Sequence, residues 1–286
     1  NHQGIALAGD GCLQEGVASE AASLAGHLAL DNLTLIYDSN DVTLDAMADA
    51  SQSESVIDRF AAYGFNCIRI EDGHDMDAIA EALSQARVQT DQPTFIEVKT
   101  TIAKGIPEVA GTAGGHGEGG AKFAESARQG LGLPEETFYV SDEVRAFFDQ
   151  HKAEQIGKRR QWDATFTAWK NANPEKAALL ESGLNREVPV DLMDQVQVFP
   201  EDAKVATRAA GSQIINDLSK AMPLLISGSA DLHGSTKNYI KDVGDFTSDN
   251  HGGRNMLFGI REHAMGAIVN GIGYYGLACT AIGSQA

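Results

Sequence analysis

Cysteine is scarce in this chain. Cys12, Cys67 and Cys279 are odd in number and far apart, which argues against a disulfide framework or a zinc site and fits a reducing compartment. Long apolar runs are missing too. No stretch approaches the roughly 18 apolar residues of a spanning helix. Basic residues are few: 22 Lys and Arg stand against 40 Asp and Glu, a net charge of −18. A free-standing nucleic-acid binder needs a basic face toward phosphate, so that class is disfavoured. No signal-peptide or lipidation pattern is read in the residues, and a cytoplasmic location with no membrane partner is expected.

What is present is ample apolar material, 43% of 286 residues, enough for about two domains at roughly 150 residues each. The chain opens at Asn1 and reaches the apolar Ile5–Ala8 almost at once. It closes at Ala286 just after the apolar Leu277–Ile282. These ends give the expectation of an internal piece of a longer protein, inactive alone and prone to aggregate through unpaired sheet edges.

The first hundred residues alternate. Ile5–Ala8, Leu33–Tyr37, Cys67–Ile70 and Thr94–Val98 are short and apolar and predict strands. Glu15–Leu30, Ser55–Tyr63 and Asp75–Arg87 carry helical spacing. The alternation predicts an α/β fold with parallel sheets flanked by helices. Seven of the eighteen residues 103–120 are glycine, which marks a functional loop. From 121 to 185 the pattern is polar and helical, with Trp162 and Trp169 expected to be packing residues. Pro174, Pro189 and Pro200 punctuate a linker. A second alternating block follows, with helices at Ala203–Ala221 and Glu262–Gly271 and strands at Leu224–Ser227, Asn255–Phe258 and Leu277–Ile282.

Four segments could carry chemistry. Gly9-Asp10-Gly11 follows the first strand, and Asp38-Ser39-Asn40-Asp41 follows the second. In a parallel sheet both loops lie at the carboxyl edge, where such sheets bind ligands. Glycines beside Asp10 let backbone approach a diphosphate, and Asp10 and the Asn40 amide are hard oxygen donors suited to Mg²⁺. A tight turn followed by an Asx-turn is the plainer reading, and the two loops in phase favour the ligand site. His116, flanked by Gly115 and Gly117, is free to meet a ligand or simply sits in a surface loop. Gly228-Ser229-Ala230-Asp231-Leu232 follows a strand of the second block. Glu262, at a strand-to-helix junction, is either an N-terminal helix charge or a proton carrier in a cleft, with Met265, Ile268 and Ile272 on the buried face.

Taken in order, these segments resemble the transketolases. Gly9-Asp10-Gly11-Cys12-Leu13-Gln14-Glu15-Gly16 and Glu20–His27 look like that family's diphosphate segment, and Asp38–Asp45 like its metal loop. Phe60–Phe65, Asp72–Asp75, Lys99–Gly105, Ala110–Thr112 and His116-Gly117 continue the match. Ala206–Arg208, Gly228–Leu232, Gly244–Phe246 and Phe258–Gly266 resemble the start of its second domain.

The resemblance implies a thiamine-diphosphate-binding fold in two partial domains. Residues 1–185 would be the C-terminal part of the diphosphate-binding domain plus a helical linker, and 186–286 the N-terminal part of the pyrimidine-binding domain. It implies thiamine diphosphate and Mg²⁺ (or Ca²⁺) as cofactors. Asp10, Asn40 and the Val42 carbonyl would be metal ligands, and Gly11 and Glu15 would line the diphosphate pocket. His116 would lie near the diphosphate and the reacting end of the substrate. Glu262 would hydrogen-bond N1′ of the aminopyrimidine, Asp231 would fix the cofactor's conformation, and Arg208 and Ser235 would hold the sugar's terminal phosphate. The implied reaction moves a two-carbon ketol unit from a ketose phosphate to an aldose phosphate in the pentose phosphate pathway. The implied assembly is a homodimer whose sites draw on both subunits. Competing readings are a sister thiamine enzyme, such as a dihydroxyacetone synthase or a deoxyxylulose-phosphate synthase, and a non-catalytic piece of a split enzyme. A dinucleotide-binding dehydrogenase is disfavoured, because no G-x-G-x-x-G follows the first strand.

Overall fold

A computed structural model describes residues 2–117, 122–230, 232–277 and 281–284. Two four-stranded parallel sheets form the frame. The first contains β1 (Gly4–Gly9), β2 (Leu33–Ser39), β3 (Asn66–Ile70) and β4 (Thr94–Lys99), in the order β1-β2-β4-β3. The second contains β5 (Ile226–Ser229), β6 (Asp245–Phe246), β7 (Asn255–Leu257) and β8 (Ala281–Ser284), in the order β6-β7-β5-β8. The expected α/β class with parallel sheets flanked by helices is what the chain adopts.

Helices of the first half are α1 (Asp10–Gln14), α2 (Gly16–His27), α3 (Val56–Ala62) and α4 (Met76–Val88). Local chemistry sets their starts. The Ser55 hydroxyl accepts the Asp58 N–H, and the Asp75 carboxylate accepts the N–H groups of Asp77 and Ala78 at 3.0 and 3.1 Å. Alternation along the strands divides their side chains between two cores. Tyr37 and Phe95 face α2 and α3 with Leu13, Ala22, Ala25 and Phe60, whereas Ile70, Ile96 and Val98 face α4 with Ala82 and Ala86. β1 is an edge strand, and its Ile5 and Leu7 side chains are exposed. The expected helix over Glu15–Leu30 begins earlier, as α1, and breaks at Glu15, whose extended backbone separates α1 from α2.

The middle of the chain holds α5 (Ala124–Gly130), α6 (Asp142–Ala172) and α7 (Pro174–Leu184). α6 runs for 31 residues and has no buried residue. Trp162 and Trp169 therefore do not sit in a core. They stack with Phe166 along one stripe of the helix, at centroid distances of 4.8 and 5.7 Å, and Trp162 remains 54% exposed. The seven-residue spacing set the stripe and not its burial. α8 (Thr207–Ala221), α9 (Leu232–Thr236) and α10 (Glu262–Tyr275) complete the second half. α10 runs beyond the expected Gly271 to a left-handed Gly276. Residues 278–280 of the strand expected at Leu277–Ile282 lie outside the described residues; β8 occupies 281–284.

The two sheets are joined through α2. Leu24 and Leu28 pack against Phe258, with Met265 and Ile268 of α10 alongside. Polar contacts secure the same seam. The Arg261 guanidinium donates to the Phe258 carbonyl at 2.7 Å and to Ser23 Oγ at 3.0 Å. The Ala264 N–H donates to Glu20 Oε2 at 2.9 Å. Arg261, the residue before α10, offers no side-chain cap, so Glu20 caps that helix from the other half of the chain.

Two substitutions test this seam. Glu20→Ala should lower unfolding stability by about 1 kcal/mol through the lost cap, with Glu20→Gln retaining most of it, as read by equilibrium denaturation. A Cβ on Gly26 would come within 1.7 Å of the Tyr63 carbonyl oxygen, which is backbone and cannot step aside. Gly26→Ala should therefore cost about 3 kcal/mol or more, seen as a lowered thermal midpoint.

Candidate active site

Parallel pairing places the loops after β1, β2 and β4 side by side. Gly9 lies opposite Asp38, and Ser39 opposite Lys99, so the chain leaves all three strands at one edge. Asp10 is the first residue beyond β1 and is only 3% exposed. Its Oδ1 accepts the Tyr37 phenol at 2.7 Å, and its Oδ2 accepts the Asn40 N–H at 3.3 Å. Asn40 Oδ1 in turn accepts the Val42 N–H at 3.1 Å. Asp10, Asn40 and Val42 are thus linked in one run of hydrogen bonds, through the Val42 N–H.

Asp41 takes a left-handed backbone, φ 63°, which an aspartate tolerates better than most residues. Lys99 holds it there, with Nζ at 2.8 and 3.0 Å from the two carboxylate oxygens. The same ammonium donates to Ser39 Oγ at 3.0 Å, and that hydroxyl donates to Glu97 Oε1 at 3.3 Å. Glu97 is buried, and its Oε2 faces the Arg69 guanidinium at 3.5 Å without a hydrogen-bond donor. The loop closes on itself as the Ala48 N–H donates to the Asp41 carbonyl at 2.8 Å and Val42 bridges to Met47. At the neighbouring position, Thr100 Oγ1 donates to Asp38 Oδ1. Beneath this loop lies a cleft of about 530 Å³, lined by Asp10, Tyr37, Ser39, Asp41, Glu97 and Lys99.

Electrostatics single out Asp10. Lys99 is paired with Asp41, and Arg69 with Glu71 and Glu97. Among the described residues Asp10 has no ion pair; both its hydrogen-bond donors are neutral. Burial pushes the Tyr37 phenol well above its ordinary range; the Ser39 side chain works against this, and the hydrogen bond to Asp10 with that residue's charge adds to the rise, so the phenol remains a donor. A buried carboxylate with only neutral partners costs several kcal/mol unless a cation compensates it. Each oxygen also keeps a lone pair for one. Gly11 is exposed, with open space where a Cβ would stand. The donor set therefore fits a divalent cation carrying a diphosphate.

The other predicted residues lie apart. Glu15 is exposed between α1 and α2, and His116 is exposed at the end of the short turn Ala113–Gly115. Arg208 begins α8, whose C-terminus leads into β5, so it stands at the carboxyl edge of the second sheet. Ser235, in α9, follows β5 at that edge. Asp231 lies outside the described residues. Glu262 opens α10 on the seam with α2; of the three residues expected on its buried face, Met265 and Ile268 pack in that seam and Ile272 is half-buried outside the cluster. No hydrogen bond or ion pair among the described residues links Glu262 or His116 to the Asp10 cluster. A larger hollow of about 730 Å³, lined by Gln213, Asn216, Asp217 and Lys241, contains none of these residues. Tyr37 and Glu97 are candidate site residues that motif reading missed; Ser39 and Lys99 stood within the quoted segments but were given no role.

Lys99→Met tests the hold on the loop after β2. The Lys99–Asp41 pair is partly exposed, so global stability should fall by less than about 1 kcal/mol. Hydrogen exchange at the Ala48 amide should quicken markedly; unchanged protection there would show that Lys99 does not hold the loop.

Comparison with known proteins follows the same two halves. Residues 1–189 match the family model described as transketolase, thiamine diphosphate binding domain, and 203–285 match that described as transketolase, pyrimidine binding domain. A transketolase from Physarum polycephalum is 55% identical over 276 residues, covering 96% of this chain and 41% of the relative. One from Geobacillus stearothermophilus is 44% identical over 279 residues, again 96% of this chain and 42% of the relative. The crystal structure of a Pichia stipitis transketolase variant superposes with a TM-score of 0.92 at 37% identity, over 99% of this chain and 43% of that one. A Leishmania mexicana transketolase gives 0.92 at 33% identity, over 99% and 42%. The chain thus spans about two fifths of the length of the relatives it matches. Its strand order, its paired carboxyl-edge loops and both matched models agree: the chain belongs to the transketolase family.

Proposed function

We propose that this chain carries the metal and diphosphate site and the pyrimidine-facing carboxylate of a transketolase. The reaction is transfer of a two-carbon ketol unit from a ketose phosphate to an aldose phosphate, in the pentose phosphate pathway of the cytoplasm. The observation that carries the reading is the buried, uncompensated charge of Asp10, set between Asn40 and Val42 at one sheet edge. A Pichia stipitis transketolase of the same fold, 37% identical to this chain, has been crystallised in complex with sedoheptulose-7-phosphate. That supports phosphorylated sugars as the substrate class.

In this reading Asp10, the Asn40 amide oxygen and the Val42 carbonyl hold Mg²⁺ or Ca²⁺. Gly11 lets the backbone approach the diphosphate, and Glu15 lines the same pocket. When bound, thiamine diphosphate supplies the carbon nucleophile and the electron sink that ketol transfer needs. Glu262 holds a proton at N1′ of the aminopyrimidine. His116 serves the reacting end of the sugar, Asp231 the cofactor's conformation, and Arg208 with Ser235 the terminal phosphate. Residues 1–185 form the diphosphate domain with its linker, and 186–286 the pyrimidine domain. Among the described residues no hydrogen bond or ion pair joins Glu262 to the Asp10 cluster, an arrangement that fits a homodimer whose site takes one half from each copy. No helix among the described residues is long and apolar enough to cross a membrane.

Calorimetric titration of the protein at its full natural length with thiamine diphosphate tests the site. Binding should require Mg²⁺ and vanish with EDTA. Asp10→Ala should weaken it roughly 100-fold or more, beyond the usual cost of losing an outer partner of a metal ligand. Glu262→Gln should keep cofactor binding and lower kcat by roughly 10²–10⁴. Undiminished binding in EDTA would overturn the metal assignment, and a donor and acceptor profile without sugar-phosphate ketol transfer would favour a sister thiamine enzyme.

A further inference from the structure

We propose that Tyr37 is a positioning residue for the metal-binding carboxylate, fixing the orientation in which Asp10 meets its cation; this rests on the site reading above. Tyr37 stands on β2, with its ring in the core between the first sheet and α2 and α3. It packs against Phe95 at 6.0 Å between centroids, and Phe95 is itself stacked on Phe60 at 4.0 Å. The ring is 3% exposed, so this aromatic stack determines where its hydroxyl points. Ala8 lies opposite Tyr37 in the β1–β2 register, which brings the phenol to Asp10 just past the end of β1.

A carboxylate turns easily about its last torsion, whose preference is broad and roughly two-fold. At Asp10 that freedom is taken up from both sides. The phenol engages Oδ1 at 2.7 Å and the Asn40 N–H engages Oδ2 at 3.3 Å. The second bond belongs to the metal loop and moves with it. The first comes from the sheet core and does not depend on the loop. Tyr37 therefore supplies the rigid reference for the carboxylate. Because its donor is neutral, it orients Asp10 without competing for the charge that a cation would meet.

The plain alternative is a core tyrosine whose hydroxyl takes the nearest acceptor. Tyr37→Phe separates the two, since it keeps the ring and removes only the donor. In the full-length protein, the Mg²⁺ concentration giving half-maximal binding of thiamine diphosphate should rise roughly 10-fold or more. Excess Mg²⁺ should restore binding, and the metal-free thermal midpoint should change little. Phe95→Leu loosens the stack that aims the hydroxyl while keeping the donor; it should lower the thermal midpoint and raise the Mg²⁺ midpoint part of the way. An unchanged Mg²⁺ midpoint in Tyr37→Phe overturns the proposal. Loss of metal dependence in the unsubstituted protein would instead overturn the site reading, and the role of Tyr37 with it.

Discussion

Helix α2 is buried from two sides, and the relation between the two sheets rests on it. Ala22 and Ala25 face the first sheet, where small side chains let the helix lie close. Leu24 and Leu28 fall on another face and clasp Phe258 from the second half. Gly26 sits where no Cβ fits, against the Tyr63 carbonyl. One twelve-residue helix thus contacts both cores and carries the groups, Glu20 and Ser23, that pin the start of α10. It begins six residues after Asp10. The candidate metal carboxylate and the helix that presents Glu262 are therefore tied to the same short rigid span, although the two carboxylates do not meet. Loosening the Leu24–Phe258 contact would disturb the placement of Glu262 before it reached Asp10.

Charge is distributed with the same economy around the cleft. In a chain of net charge −18, local cations are scarce, and those near the site already have partners. Lys99 answers Asp41, and Arg69 answers Glu71 and Glu97. Had Lys99 paired with Asp10, the deepest carboxylate would be neutralised and the loop left free. Instead the fixed cation stabilises the left-handed Asp41 backbone, while Asp10 meets two neutral donors. That arrangement suits a site that holds a removable cation. A loop held in this way would keep its shape with or without a cation, and the buried carboxylate would supply the electrostatic demand for one.

Much of this was legible in the residues, for identifiable reasons. Strand and helix periods in the first hundred residues were strong, so all four strands fell within two residues of their expected bounds. Asp10 and Asn40 were found because each directly follows an apolar strand, and parallel strands carry such residues to one edge. Trp162 and Trp169 misled because helical spacing reports a shared face and not what covers it. Tyr37 and Glu97, and the roles of Ser39 and Lys99, escaped for a different reason. Tyr37 and Glu97 read as alternating strand residues, and Ser39 and Lys99 as residues just past the expected strand ends. Their roles arise only when β4 is laid beside β2 in a particular register, which joins Ser39 to Glu97 and Lys99 across 58 and 60 residues of chain. A slip of one residue would turn Glu97 and Lys99 to the α4 face and leave Asp41 without its partner. The site's chemistry is written in its loops, but its rigidity is written in strand pairing, and no local window of sequence contains that pairing.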